Sequence, residues 1–169
     1  MSQIVHSKES IEQMLSSMDI EFQSFSHPPV FTTDDVANLP EKIPGVDTKN
    51  LFLRDEKKRQ YILLCVRAEV RVDLKQLGKD LNLRGLTFAS SEDMWSMLKV
   101  KPGAVCLFSL VHDTQTCVTA YLDAGIPLDD LMQNHPLQNT DTVVLRAADM
   151  VRFCESTGHI VTQLMVPER

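Results

Sequence analysis

The sequence has 169 residues, 43% of them hydrophobic and 24% charged, with a formal net charge of −6. That length suits one domain, residues 1–169, with one substantial core. No apolar run approaches the ~20 residues of a membrane helix, and MSQIVHSKESIEQML lacks the apolar stretch of a secretory signal. The expectations are a cytoplasmic protein, no membrane partner, and no role as a general nucleic-acid coat.

In chain order, SKESIEQMLSSMDI places Ile11, Met14, Leu15 and Met18 at helical spacing, with Ser7 or Ser10 as N-cap. EFQSFSH is extended and ends at His27-Pro28-Pro29. TTDDVANLP suits a short helix capped by Thr32 or Thr33, and IPGVD a loop. NLFLRD and QYILLCV read as two strands joined by the charged turn EKKRQ, the second apolar throughout and so central in a sheet. DLKQLGKDLN is an amphipathic helix capped by Asp73. LTFAS is a short strand and SEDMWSMLKV a helix starting near Ser91. KPGAVCLFSLV predicts a turn and a strand, CVTAYLD a strand, PLDDLMQN a short helix and TVVLRA a strand. AADMVRFCESTG predicts a helix with Gly158 at its C-terminal cap, and HIVTQLMV a last strand. This interleaving of roughly seven strands and five helices predicts an α/β (mixed α+β) fold, a mixed sheet with helices packed around it.

Charge is unevenly placed. Between Lys49 and Arg84 stand ten basic and five acidic residues, a local +5, which leaves −11 on the remainder. That asymmetry suits a protein that meets a phosphate backbone with one face, or a solvated helix-and-hairpin surface. The four cysteines, Cys65, Cys106, Cys117 and Cys154, form no CxxC pair and imply neither zinc nor a disulfide framework. Cys106 and Cys117 are the candidates for nucleophilic reactivity.

His112-Asp113, His135 and His159 lack the spacing of a metal site. KPGAV is neither a dinucleotide fingerprint nor a Walker loop, and no GxSxG elbow occurs. Gly103 is either a plain turn glycine or a place where backbone N–H groups receive an oxyanion. His135, followed by Asn139 and Thr140, is either structural or lines a polar pocket floor. Lys49 and Asn50, directly before an apolar strand, pose the same choice between a hairpin start and an anion grip.

Seven motifs in one order go further: HPPVFT at 27–32, PGVDTKNLFLRD at 44–55, LTFAS at 86–90, PGAV at 102–105, HDTQTCVTAYLD at 112–123, HPLQNTDTV at 135–143 and FCESTGH at 153–159. Together they resemble the free-standing prolyl-tRNA editing domains, related to the YbaK fold and to the domain inserted in bacterial prolyl-tRNA synthetases. The resemblance runs from about Ile11 to Val166 and is greatest to the ProX or PrdX branch.

The resemblance implies a YbaK-like, mostly antiparallel mixed sheet and a trans-editing hydrolase that deacylates mischarged alanyl-tRNA(Pro). The alternatives are a deacylase for cysteinyl-tRNA(Pro) and a non-catalytic tRNA- or synthetase-binding module. It implies no metal, no cofactor and no covalent nucleophile. By resemblance, Lys49 neutralises the terminal phosphate or the developing oxyanion. Thr48, Asn50 and Asn139 bind the tRNA end, Asn50 at the terminal adenosine. Backbone N–H groups around Gly103 contact the ester carbonyl, His135 shapes the pocket, and water attacks. Arg54, Lys57, Lys58 and Arg59 are candidates for acceptor-stem phosphates. The implied partners are the tRNA(Pro) 3′ end and acceptor stem, with prolyl-tRNA synthetase as a further candidate, for a monomer. One departure stands out: where the branch reads GSVTPFGL this chain reads GAVCLFSL, with Leu107 for the loop proline and Ser109 for a glycine.

Overall fold

The computed structural model describes residues 4–29 and 43–169. The short helix expected around Thr32 and Thr33 lies outside them.

Helix α1, Lys8–Ser17, starts where Ser7 leaves helical geometry. Ser7 Oγ accepts from Ser10 N at 3.3 Å while Ser10 Oγ accepts from Ser7 N at 2.9 Å. This reciprocal cap satisfies amides that the first turn would otherwise strand. Ile11 and Leu15, four apart, are its fully buried face.

Strands β2 (Thr48–Arg54) and β3 (Tyr61–Arg67) form an antiparallel hairpin from Thr48↔Arg67 to Arg54↔Tyr61. The tip closes on Asp55, whose carboxylate accepts from Arg59 N at 2.7 Å and Gln60 N at 3.0 Å. These bonds leave the charged side chains of Lys57, Lys58 and Arg59 in solvent.

Helix α2 (Leu74–Asp80) is capped by Asp73, which accepts from Gln76 N at 3.0 Å. Strand β4 (Thr87–Phe88) pairs with the end of β2, and α3 (Ser91–Leu98) follows, its cap being Ser90. Strand β5 (Val118–Asp123) runs parallel to β3. The chain then makes β6 (Leu131–Asn134), β7 (Asp141–Arg146), α4 (Ala147–Ser156) and β8 (Val161–Leu164), the last parallel to β5. Gly158, at φ +91, turns the chain after α4, as its sequence position predicts.

The strands form two sheets rather than one. A five-stranded sheet has the order β4-β2-β3-β5-β8, and a three-stranded one has β1 (Gln23–Ser26), β7 and β6. Four of the six ladders among the described residues are antiparallel: the three-stranded sheet is wholly antiparallel, and the five-stranded one is mixed, with two of its four ladders parallel.

Alternation along the central strands divides the core in two. Phe52, Leu63 and Cys65 enter the larger cluster with α1, α4 and the segment 104–110, whereas Leu53, Ile62, Leu64 and Val66 face α2 through Leu77. A strand covered on both faces must be apolar at nearly every position, which is why QYILLCV shows no alternation.

Two expected elements differ. LFSLVH is a 3-10 helix (Leu107–His112), not a strand. Ser109 Oγ accepts from Cys106 N at 3.1 Å, and Ser109 N donates to Cys106 O at 2.9 Å, closing a turn in a segment that α4 covers instead of a ladder. Phe108 meets Phe153 of α4 edge-to-face at 5.1 Å. PLDDLMQN is a turn plus β6, not a helix; Asp130 N bonds Pro127 O at 3.0 Å, and Leu131–Asn134 then pair with β7. Its leucines fit helical spacing, and pairing with a buried neighbour overrides that local signal.

Asp113, 5% exposed, ties the 3-10 helix to β5 and β8 by accepting from Val118 N at 2.8 Å, Cys117 N at 3.0 Å and His159 Nε2 at 2.8 Å. Burial alone would raise its pKa, and these bonds overcome that and hold it below 3.8. Its stabilising contribution is therefore complete above about pH 4 and is lost as pH falls through the lower folded value. Asp113→Ala strands three donors and destabilises the fold by about 2–3 kcal/mol, read as a lower urea midpoint at pH 7.

Candidate functional site

The segment His135–Asp141 joins β6 to β7 and is held by one carboxylate. Asp141 accepts from Lys8 Nζ at 3.0 Å, Ser26 Oγ at 2.7 Å and Thr140 Oγ1 at 2.9 Å, and also from Gln138 Nε2. Burial opposes ionisation, but these donors hold the carboxyl far below the usual range. One side chain thus fastens α1, β1 and the loop together.

The loop presents His135. Its Nδ1 lies 3.0 Å from the Asp141 carbonyl, which can only accept, so Nδ1 carries the proton and donates. Nε2 is left as a lone pair without a partner among the described residues. Burial lowers the pKa of this imidazole below 6.5. The Asp141 carbonyl and the charge of Asp47 pull upward, and His27 adds to the lowering. The ring is therefore neutral at pH 7, with its tautomer fixed. His27 stands edge-to-face at 6.2 Å, its own Nε2 2.8 Å from Thr142 Oγ1.

Two further predicted residues, Thr48 and Asn50, share one face of β2 with the strand leading to His135. Thr48 Oγ1 donates to Gln133 O at 2.6 Å, tying the start of β2 to the strand that ends beside His135. Asn50 points the same way, since side chains two apart on a strand share a face. Its Oδ1 is shut from solvent with no hydrogen-bond partner among the described residues, as is Oδ1 of Asn134. Such atoms carry a desolvation cost that a bound donor would relieve. Asn139 is half-buried within the His135 loop.

Gly103 sits in a turn at φ +94, closed by Ala104 N to Lys101 O at 3.0 Å, a conformation a side chain would strain. Three residues on, the Cys106 thiol donates to the His135 carbonyl at 2.7 Å, joining the Gly103 segment to the histidine loop. Burial pushes this thiol up to about 11, so it is protonated at neutral pH. Cys106 is a buried donor and not the nucleophile its sequence position raised. Leu107 is fully buried at the head of the 3-10 helix, and the Ser109 hydroxyl accepts from Cys106 N at its start.

Lys49 lies elsewhere. It alternates with Asn50 onto the α2 face of β2 and lines a cleft of about 450 Å³ with Leu51, Arg71, Lys75, Phe88 and Arg169. Gly103 and His135 do not line that cleft. Arg54 donates to Asp55 O at 2.9 Å near the hairpin tip. It stands five strand residues from Lys49, or about 17 Å, so Arg54, Lys57, Lys58 and Arg59 form a separate basic cluster. The structure thus ties Thr48 and the face of β2 it shares with Asn50 to the strand that leads into His135, links the segment after Gly103 to the same loop through Cys106, and sets Lys49 on the other face of β2 with cations that motif reading passed over. Arg71 and Lys75 stood inside the positively charged window of the sequence. Phe88 stood in the LTFAS motif without a role assigned to it, and Arg169 carried no signal of its own.

The aminoacyl-tRNA editing domain family matches residues 27–153, a span that includes Lys49, Asn50, Gly103 and His135. The chain belongs to that family. It is 34% identical over 154 residues to the prolyl-tRNA synthetase associated domain-containing protein 1 of Danio rerio, covering 90% of this chain and 83% of that one. It is 29% identical over 152 residues to the prolyl-tRNA editing protein ProX of Acetoanaerobium sticklandii, covering 90% and 93%. A crystal structure described as a candidate trans-editing enzyme for prolyl-tRNA synthetase superposes with a TM-score of 0.72 at 18% identity, over 98% of this chain and 99% of that one. The editing-domain fold is thereby shared at nearly full length. No helix among the described residues is long and apolar enough to cross a membrane. None of their His, Cys, Asp and Glu side chains group by three in a way that could hold a metal; Asp113 and His159 meet as a structural pair.

Proposed function

We propose that this editing domain, taken as one unit over residues 1–169, is a cytoplasmic, monomeric trans-editing hydrolase that deacylates alanyl-tRNA(Pro). The observation that carries the reading is the neutral His135 ring, its Nδ1 committed to Asp141 and its Nε2 lone pair without a partner among the described residues. A lone pair held in place accepts a hydrogen bond from attacking water or from a ribose hydroxyl of the substrate, without needing to lose a proton first.

An aminoacyl ester is already activated, so the domain has to orient it and stabilise charge. Water adds to the ester carbonyl carbon. The carbonyl oxygen becomes the oxyanion, met by backbone N–H groups at the Gly103 turn. Collapse then breaks the bond to the ribose oxygen, which takes up the proton that the attacking water gave to His135 Nε2, and releases alanine and the ribose hydroxyl. Asn50 Oδ1, buried and unsatisfied among the described residues, accepts from the terminal adenosine. Lys49, on the opposite face of β2, takes the terminal phosphate in place of the oxyanion. Arg54, Lys57, Lys58 and Arg59 meet acceptor-stem phosphates, which position the RNA without reading it. Editing of this kind is needed because a pocket that admits proline rejects a smaller side chain by only ~1–3 kcal/mol. Prolyl-tRNA synthetase is the partner whose errors are cleared.

Cysteinyl-tRNA(Pro) is the second reading, favoured by the altered segment at Leu107 and Ser109. Against it, that segment still forms a capped, buried turn. A panel of alanyl-, cysteinyl- and prolyl-tRNA(Pro) decides. Release of alanine at least tenfold faster than cysteine, with the proline ester spared, supports the first reading. Hydrolysis of none above the buffer rate, with tight tRNA binding, replaces both with a binding module.

A further inference from the structure

Asp47 stands just before β2 and has no role in the steps above. Its backbone is fixed from both sides. Val46 bridges Met132 in parallel, Val46 N donating to Leu131 O at 2.8 Å and Gln133 N to Val46 O at 2.9 Å, while Ala68 N donates to Asp47 O at 2.9 Å. Thr48 Oγ1 then closes the next position on Gln133 O at 2.6 Å. This register sets Asp47 beside Gln133, two residues short of His135. With a rise of ~3.3 Å per residue and ~4.8 Å between strands, the α-carbons of Asp47 and His135 are about 8 Å apart.

The two side chains act on each other: Asp47 draws the His135 pKa upward, and the ring draws that of Asp47 downward. They cannot bond directly in this tautomer. Nδ1 gives its proton to the Asp141 carbonyl and Nε2 is a lone pair, so the neutral ring has no proton to offer a carboxylate. An anion and an acceptor thus stand near each other, and what suits the space between them is a donor. Asp47 is also half-buried without a cation. Burial raises its pKa, the neighbouring Glu69 adds to the rise, and no lysine or arginine offsets it. The more deeply set aspartates are compensated, Asp123 by Arg67 at 2.8 Å, Asp141 by Lys8 at 3.0 Å and Asp113 by His159 at 2.8 Å. Asp47 forms no ion pair among the described residues, and a cation brought by a ligand would relieve that desolvation.

The alanyl ester carries such a cation. Its α-amino group protonates near neutrality, as a chain N-terminus does, and is attached to the carbon next to the carbonyl that water attacks. We infer that Asp47 grips the α-ammonium of the aminoacyl ester, and so restricts the domain to esters with a free amine. The inference rests on the deacylase reading above for the ester and adds recognition of its amine. Exclusion by size does not supply that recognition, because a pocket that admits alanine by bulk admits lactate equally well.

Alanyl- and lactyl-tRNA(Pro), which differ by an amine against a hydroxyl, test it, each rate divided by the uncatalysed rate of the same ester. The wild type favours the alanyl ester by roughly 10- to 100-fold, the range for one charge-assisted contact. Asp47→Asn keeps the shape and removes the charge. It lowers kcat/KM on the alanyl ester by that factor and leaves the lactyl ester unchanged, which also shows that the variant folds. Asp47→Glu recovers part of the alanyl rate. A general base at this position would act on both esters, so an equal loss on the two overturns the inference. A wild type without the preference overturns it too, as does an Asp47→Asn protein that keeps it. Stable amide-linked alanyl- and lactyl-RNA analogues read the same preference as affinity, by fluorescence anisotropy. Equal affinity of the wild type for the two overturns the inference. A protein that hydrolyses neither ester, yet prefers the amine-bearing analogue and loses that preference in Asp47→Asn, retains this inference and sinks the deacylase reading alone.

Discussion

His135→Ala lowers the rate of alanyl-tRNA(Pro) hydrolysis by about two to three orders of magnitude, the range for losing a positioned acid–base group. The size follows from the geometry rather than from histidine's general usefulness. A free imidazole samples two tautomers and is partly protonated near neutrality. Here the Asp141 carbonyl at 3.0 Å fixes the proton on Nδ1, and burial keeps the ring uncharged. His135→Asn separates structure from chemistry, because its amide can still donate toward Asp141 but has no acceptor where Nε2 stood. It is expected to fold like the wild type and to lose nearly as much activity as the alanine variant. The pH profile gives the same test without mutation. The imidazole titrates below its ordinary 6.5, so the active neutral form is complete at pH 7, and activity falls on the acid side as Nε2 gains a proton. An acid limb unmoved by His135→Asn in a variant that retains activity removes His135 from the reaction.

Much of the fold was legible because local signals and tertiary structure agree. Ser7 and Asp73 cap the helices that their side chains predict, and Asp55 closes the charged hairpin turn. The failures lie where a neighbour decides. LFSLVH has the composition of a buried strand, yet α4 packs over it and its amides close on themselves through Ser109. PLDDLMQN has helical spacing, but β7 supplies a ladder for its second half.

The site divides the same way. Lys49, Asn50, Gly103 and His135 could be picked out by motif. The placement of Lys49 and Asn50 on opposite faces of β2 follows from period-two alternation, which the sequence does contain. What no local reading supplies is the company each keeps: Asp141 reaching Lys8 across 133 positions, or Arg169 arriving from the far end of the chain to line the Lys49 cleft.

That company sets the second large effect. Lys49→Ala is expected to lower kcat/KM on alanyl-tRNA(Pro) by roughly 10- to 100-fold, the range for losing one charge-assisted contact to phosphate. Because Lys49 shares its cleft with Arg71, Lys75 and Arg169 and not with His135, the loss should fall mainly on KM. An amine stabilising the oxyanion would act on kcat instead. Lys49→Arg, which keeps the charge, restores most of the affinity at low salt and less at high salt, since a phosphate contact is screened. On alanyl-adenosine, which carries no phosphate, the Lys49→Ala defect shrinks if the amine grips phosphate and persists if it serves the oxyanion. Unchanged kinetics on both substrates would remove Lys49 from the site and leave the β2 face around Asn50 and His135 to act alone.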